Sequence, residues 1–246
     1  MEHPDVSEAR AAPDVRIGDR AFVVETLAAD IEAEANRPRR GAFTIAIPGG
    51  SVARVCFSRL ATLALDWSMV EVFWVDERAV SQTDAESNYR LARELWLEPA
   101  GIPARRFHRM MGEAPDLERA ARDYADELKA IAGDPPRIDY VLLGVGEDGH
   151  VASLFPGHPA LFDQGPVLAI EDAPVPPPRR LSLSLPVLVS AARVVMVAFG
   201  TTKARVMAEV AGDPGSTLPA AQAARRARRC LLLIDHEAGA RVEGRG

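Results

Sequence analysis

The feature that most restricts this chain is the apolar continuity of its strand-like segments. "FTIAI" (43–47), "VEVFWV" (70–75), "IDYVLLGVG" (138–146), "RVVMVAFG" (193–200) and "CLLLID" (230–235) lack the every-second-residue polar break of a half-exposed strand. Strands of that kind have both faces covered, which is the environment of a parallel sheet between two helical layers. The intervening segments repeat apolar residues at helical spacing. Examples are Val24, Leu27, Ala28, Ile31 and Ala35; Val52, Val55, Cys56, Leu60 and Leu63; and Leu117, Ala121, Tyr124, Leu128 and Ile131. Further helices are expected near residues 88–97, from Pro186, and over 201–211. Strands alternating with amphipathic helices imply βαβ units, so we expect an α/β fold of three layers, α/β/α, with a mostly parallel sheet and helices on both faces. The alternation in "RLSLSL", just after the proline-rich "PVPPPRR", marks the place for a small antiparallel addition. Residues 1–246 otherwise fit a single domain, with a small lobe or lid around 155–185.

Composition removes several classes of function. Lys and Arg number 29 against 35 Asp and Glu, a net charge of −6, so no electrostatic footprint for nucleic acid or an anionic membrane surface is expected. An anionic ligand must then be held by a local cluster. The "RRARR" run (225–229) reads as a solvated face at a helix end, complementing the dipole. No apolar run nears the ~20 residues of a membrane helix, and "MEHPDVSEAR" lacks a basic segment followed by an apolar one, so a soluble cytoplasmic protein is expected. Cys56 and Cys230, far apart in apolar stretches, suit a reducing compartment better than a disulfide framework. The histidines at 3, 108, 150, 158 and 236 form no ligand pair at metal-binding spacing, and no metal is expected.

In open α/β sheets ligands bind outside the carboxyl ends of the strands. The segments there are "PGGS" (48–51), "DERAV" (76–80), "GVGEDGH" (144–150) and "GTTK" (200–203). "PGGS" suits an anion, with Ser51 as helix N-cap and unpaired N–H groups at the helix start; it reads equally as a plain tight turn. The "DER" triplet is a solvated charge cluster or, through Arg78, a bidentate phosphate anchor. "GVGEDGHVASLFPG" places an acidic pair and three glycines before His150, a small-residue helix start after it, and a Phe-Pro-Gly stop. No acidic residue ends a second strand at the distance that a dinucleotide fingerprint requires, so a nicotinamide site is not expected. No G-x-S-x-G elbow occurs, which disfavours a serine nucleophile. A loop histidine is commonly structural, but Asp148 two residues earlier can orient an imidazole, and Gly149 allows the unusual backbone that this needs.

Taken together, "VDERAV" followed by "ESNYRLARE", "GVGEDGHVASLFPG", "RRLSLSLPVL" and "FGTTKARVM" resemble, in order and approximate spacing, the 6-phosphogluconolactonases of the glucosamine-6-phosphate isomerase/6-phosphogluconolactonase family. The resemblance runs from about residue 17 to the last strand. It implies the modified Rossmann-like three-layer fold shared with glucosamine-6-phosphate deaminases and ribose-5-phosphate isomerases (NagB/RpiA/CoA transferase-like). The activity it implies is hydrolysis of 6-phospho-D-glucono-1,5-lactone in the oxidative pentose phosphate pathway. By the same resemblance His150 is the general base with Asp148 as its partner. Gly49, Gly50, Ser51, Arg78, Arg180 and Lys203 surround the phosphosugar, and Asp76 faces sugar hydroxyls. No cofactor is expected. The partner is a small phosphosugar lactone, and the chain is a monomer or a small homo-oligomer. Where the family usually has Gly-Gly-Ser-Thr-Pro, this chain has Gly49-Gly50-Ser51-Val52-Ala53, so the phosphate must rely on backbone N–H groups and Ser51. Deaminases of this fold typically carry Asn-Glu-Pro-Gly in place of Leu154-Phe155-Pro156-Gly157, and a tyrosine in place of Arg78. The rival readings are a sugar-phosphate deaminase or isomerase, revealed by ammonia release, and a non-catalytic sugar-phosphate sensor, revealed by binding without turnover.

Overall fold

Apolar strands sandwiched between helices require a sheet that is closed off on both faces, and the computed structural model, which describes residues 12–242, has one. The elements in the first half are β1 (Asp14–Gly18), α1 (Arg20–Ala35), β2 (Phe43–Ile47), α2 (Gly50–Leu60), β3 (Val70–Trp74), β4 (Asp76–Arg78), α3 (Asn88–Ala92), β5 (Phe107–His108) and α4 (Leu117–Ala132). They are followed by β6 (Tyr140–Gly144), β7 (Val167–Ile170), β8 (Arg180–Leu183), α5 (Leu185–Ser190), β9 (Arg193–Ala198), α6 (Ala204–Gly212), α7 (Pro219–Arg226) and β10 (Cys230–Asp235). Seven strands pair in the order β1-β10-β9-β6-β2-β3-β5, every pair parallel. Every residue of β2, β3, β9 and β10 is buried, as their unbroken apolar runs require. The α/β architecture expected from the sequence is the one observed.

A second sheet of three antiparallel strands, β4-β8-β7, stands at the carboxyl end of the first. Val75 joins the two. Its N–H donates to Ile47 O at 3.0 Å in the parallel sheet, and its carbonyl accepts from Leu183 N at 2.8 Å in the antiparallel one. Strands β2 and β6 are neighbours, yet the chain leaves β2 toward β3 and β6 toward β9. That divergence is a topological switch point, where a crevice opens.

Several local expectations change. Helix α2 begins at Gly50 with Gly49 as N-cap and no side-chain cap, so Ser51 sits inside the first turn; Gly50, at φ 64°, turns the chain into the helix two residues early. "DER" is β4 and not a loop, because Arg180–Ser182 supply its pairing partners. No helix follows His150: residues 151–154 close a tight turn, bridged Val151 to Leu154, with Ala152 at φ 50°. Val23 takes the buried place expected for Val24, and Ile131 is 38 % exposed. The helix near 88–97 is α3 continued by one π turn, Arg93–Leu97. The helix expected over 201–211 opens with a 3-10 turn, Thr201–Lys203. The arginine run is only partly solvated: Arg225 donates to Asp213 O and Ser216 O, and Arg229 pairs with Glu34 at 2.8 Å because the start of β10 lies beside α1. Residues 155–185 carry the 3-10 turn Pro159–Phe162, β7 and β8. The N-terminal leader reading and His3 fall outside the described residues. Among those residues no helix is long and apolar enough to cross a membrane.

Candidate active site

The chain leaves β6 through a turn built to hold one side chain. Gly146 N–H donates to His150 O at 2.9 Å and Gly149 N–H to Gly146 O at 3.1 Å, while Gly149 takes φ 87°, a conformation glycine adopts without steric cost. His150 Nδ1 lies 2.6 Å from Asp148 Oδ1, and the same oxygen accepts the His150 backbone N–H at 3.1 Å. The imidazole leans on Phe155 with ring centroids 4.6 Å apart. Of the two carboxylates next to the histidine, Asp148 is the one that engages it. Nε2 has no protein partner among the described residues. Burial raises the Asp148 pKa, but the hydrogen bond and charge of His150 outweigh it and hold the carboxyl below its usual range. A Cβ on Gly146 would lie 2.6 Å from Asp148 Oδ1 and nearer still to the His150 ring, so the ring fits only because residue 146 has no side chain.

The opposite wall comes from the small sheet. Arg78 stands directly across from Arg180 in the antiparallel ladder, like charges offset in part by Glu86, 3.7 Å from Arg78, and by Asp76, 4.0 Å from Arg180. Arg78 Nη1 donates to Glu86 O at 2.7 Å, and its Nε is buried without a partner. Arg180, 3 % exposed, grips the proline-rich strap, with Nε on Pro177 O and Nη2 on the Val175 and Pro176 carbonyls. Its Nη1 comes to 3.5 Å from Ser153 Oγ and 4.0 Å from Asp76 Oδ2. Burial lowers the Arg180 pKa, against the pull of Asp76. The Lys203 ammonium, at the end of the 3-10 turn Thr201–Lys203, is likewise lowered by burial, against Glu147 and Asp148.

The cleft between these walls measures about 450 Å³, a size that suits a small ligand. Every residue nominated from the sequence lines it: Gly49, Gly50, Ser51, Asp76, Arg78, Asp148, His150, Arg180 and Lys203. Asn88, Gly146, Ala152 and Val175 also line it and were missed. Asn88 and Gly146 stood inside quoted motifs, but nothing in a sequence says that an asparagine reaches back across a loop. Among the described residues, no group of three or more His, Cys, Asp or Glu is placed to hold a metal ion.

The family model described as "Glucosamine-6-phosphate isomerases/6-phosphogluconolactonase" matches residues 18–232. A 6-phosphogluconolactonase of Mycobacterium tuberculosis is 38% identical over 215 residues, 82% of this chain and 86% of that protein. A rice protein named "Probable 6-phosphogluconolactonase 3, chloroplastic" is 38% identical over 192 residues; the match takes in 72% of this chain and only 58% of the rice protein's length. The solved structure of 6-phosphogluconolactonase from Trypanosoma brucei superposes with a TM-score of 0.81 at 26% identity, covering 93% of this chain and 98% of that one. The matched span holds every element from α1 to the first half of β10, and with it all four rim segments. On that span the chain belongs to the glucosamine-6-phosphate isomerase/6-phosphogluconolactonase family.

Proposed function

We propose that this chain hydrolyses 6-phospho-D-glucono-1,5-lactone to 6-phosphogluconate, the lactonase step of the oxidative pentose phosphate pathway, with His150 as general base and without a metal ion. The observation that carries this reading is the 2.6 Å bond between His150 Nδ1 and Asp148, in a cleft whose other wall sets Arg78 across from Arg180. Nδ1–H held by Asp148 fixes the tautomer and leaves Nε2 to take the proton from water as the water attacks the lactone carbonyl. The imidazolium, stabilised by Asp148, then returns that proton to the departing ring oxygen. Positioned transfer of this kind contributes about 10² to 10⁴ in rate. Backbone N–H groups of the glycine-rich turn 144–150, beside His150, supply the donors for the tetrahedral oxyanion, one good donor contributing roughly 3 to 4 kcal/mol. Arg78, Lys203 and the Gly49-Gly50-Ser51 turn hold the phosphate, Arg180 completes the charge from behind, and Asp76 accepts from sugar hydroxyls. A δ-lactone is a reactive ester, so one base, one oxyanion donor and a phosphate clamp suffice without a covalent intermediate. The chain works as one domain, with the small sheet and proline-rich strap as its lobe. The two free, buried cysteines fit the reducing cytoplasm.

The test is an assay with freshly generated lactone, corrected for spontaneous hydrolysis. Wild type turns it over, and His150→Ala loses about 10²-fold or more in kcat with its thermal midpoint unchanged. Near-normal turnover in that variant refutes the assignment of the base. Ammonia released from glucosamine 6-phosphate refutes the lactonase reading itself.

A further inference from the structure

Asn88 is 2 % exposed and meets three parts of the site at once. Its Nδ2 donates to the Asp76 carbonyl at 3.0 Å and to Asp76 Oδ1 at 3.3 Å. Its Oδ1 is buried with no hydrogen-bond partner and lies against Gly49. A Cβ on Gly49 would come 2.9 Å from Asn88 Nδ2 and closer still to Oδ1. Gly49 has φ −97° and ψ −147°, outside the left-handed region, so the backbone alone does not demand glycine there. The Asn88 amide does.

Asn88 is itself held from behind. The Glu77 carboxylate, 3 % exposed, accepts from Asn88 N at 2.8 Å and Arg78 N at 2.7 Å through Oε1, and from Tyr89 N at 2.8 Å and Ser87 Oγ at 3.1 Å through Oε2. Four donors meet it, none of them a charged side chain. Such a carboxylate serves as a bracket between β4 and the start of α3, and its place in the alternation of β4 turns it away from the face that carries Asp76 and Arg78.

We infer that Asn88 is a positioning residue for substrate affinity: its amide sets the Asp76 carboxylate with one end and the Gly49-Gly50 turn with the other, and Glu77 fixes Asn88 in that place. The inference rests on the lactonase reading above, in which Asp76 meets the sugar and the glycine turn meets the phosphate. Truncating Asn88 then weakens binding of the sugar phosphate while leaving the His150–Asp148 pair, on a different loop, intact.

The experiment is a double-mutant cycle of Gly49→Ala and Asn88→Ala, read as KM and kcat for the lactone and as the calorimetric affinity for 6-phosphogluconate, with thermal midpoints recorded. Asn88→Ala is expected to raise KM and weaken product binding by about tenfold or more, with kcat within about threefold. Gly49→Ala alone does the same, because its Cβ displaces the amide. In the Asn88→Ala background the clash is gone, and Gly49→Ala adds less than about threefold, a coupling that a general loss of stability does not produce. Asn88→Asp keeps the size but sets a second carboxylate beside Asp76, so its KM gains a dependence on pH in the acid range beyond that of wild type. An Asn88→Ala variant with unchanged KM and product affinity, or additive losses in the cycle, overturns the inference while wild-type turnover still stands for the lactonase reading. A wild-type chain that neither turns over the lactone nor binds 6-phosphogluconate overturns both.

Discussion

Replacing Gly146 by alanine adds one methyl group at a crowded point of the site, against the imidazole itself. Its Cβ would lie 2.6 Å from Asp148 Oδ1 and closer still to Nδ1 and Cε1 of the imidazole, where carbon contacts are normally about 3.5 Å or more. Relief requires the ring, the carboxylate or both to move by roughly 1 Å, since the backbone of the turn is tied by Gly146 N–H to His150 O at 2.9 Å. That displacement breaks a 2.6 Å hydrogen bond. A misplacement of ~1 Å in a catalytic group costs on the order of 10²-fold in rate, which corresponds to about 2.7 kcal/mol in the barrier. We therefore expect Gly146→Ala to lower kcat by about 10²-fold, with affinity for 6-phosphogluconate held within about threefold because the arginine wall is untouched. The assay is turnover of freshly generated lactone beside calorimetric titration with the product. The double variant Gly146→Ala/His150→Ala should be no slower than His150→Ala alone, since both changes act on the same proton transfer. A Gly146→Ala enzyme within threefold of wild type, or a double variant clearly slower than His150→Ala, refutes the reasoning.

Two further predictions concern pH. Burial lowers the Lys203 ammonium against the pull of Glu147 and Asp148, so it sheds its proton below the ~10.4 of an ordinary lysine. Affinity for 6-phosphogluconate should thus begin to decline at a lower pH than an ordinary lysine would dictate, and Lys203→Arg, which stays charged, should flatten the decline; an unchanged slope in calorimetry counts against Lys203 as a phosphate ligand. His108, off the site, is stacked on Phe73 with Nδ1 2.7 Å from Glu127 and Nε2 2.8 Å from Glu71. Burial lowers its pKa, but the two carboxylates outweigh it and the net shift is upward. A raised folded pKa gives stability that is fully present below the unfolded value of ~6.5 and is lost as pH rises through the folded value. The gap in thermal midpoint between wild type and His108→Gln should accordingly narrow from about pH 6 to pH 9, and a constant gap would exclude the ionic contribution.

The sheet was legible because its central strands carry their environment in their composition: a run such as "YVLLG", buried between β9 and β2, can sit nowhere else. Strand β1 escaped notice since "DVRIG" is an edge strand with most of its residues outside the core. Strand β5 is two residues long, too short for any period to register. The "DER" strand was unreadable for a different reason. Its partner, Arg180–Ser182, lies about a hundred residues later, and pairing over that separation is decided by tertiary structure and not by local propensity. The rim residues could be nominated because strand ends locate them, whereas Asn88 sits inside a helix start, and its value to the site depends on where a glycine from another element comes to rest. The N-cap expected at Ser51 lies two residues earlier, at Gly49, because two successive glycines let the helix begin early.

Val75 is the joint between the two sheets: one backbone N–H on Ile47 and one carbonyl under Leu183. The span from the arginine wall to the imidazole is therefore set by main chain on both sides, and the cleft acts as a ruler for its ligand. In the proposed reaction the phosphate and the lactone carbonyl mark the two ends of the scale, so a phosphorylated lactone one carbon shorter reaches one mark and misses the other. Exchanging side chains in the clamp changes how firmly an end is held, but not where it is held. To shift the scale, the chain must gain or lose a residue beside Val75, and a one-residue slip there would turn Asp76 and Arg78 out of the cleft and Glu77 into it. Substrate length in this fold is thus guarded by a register whose alteration dismantles the site before it can select a new substrate.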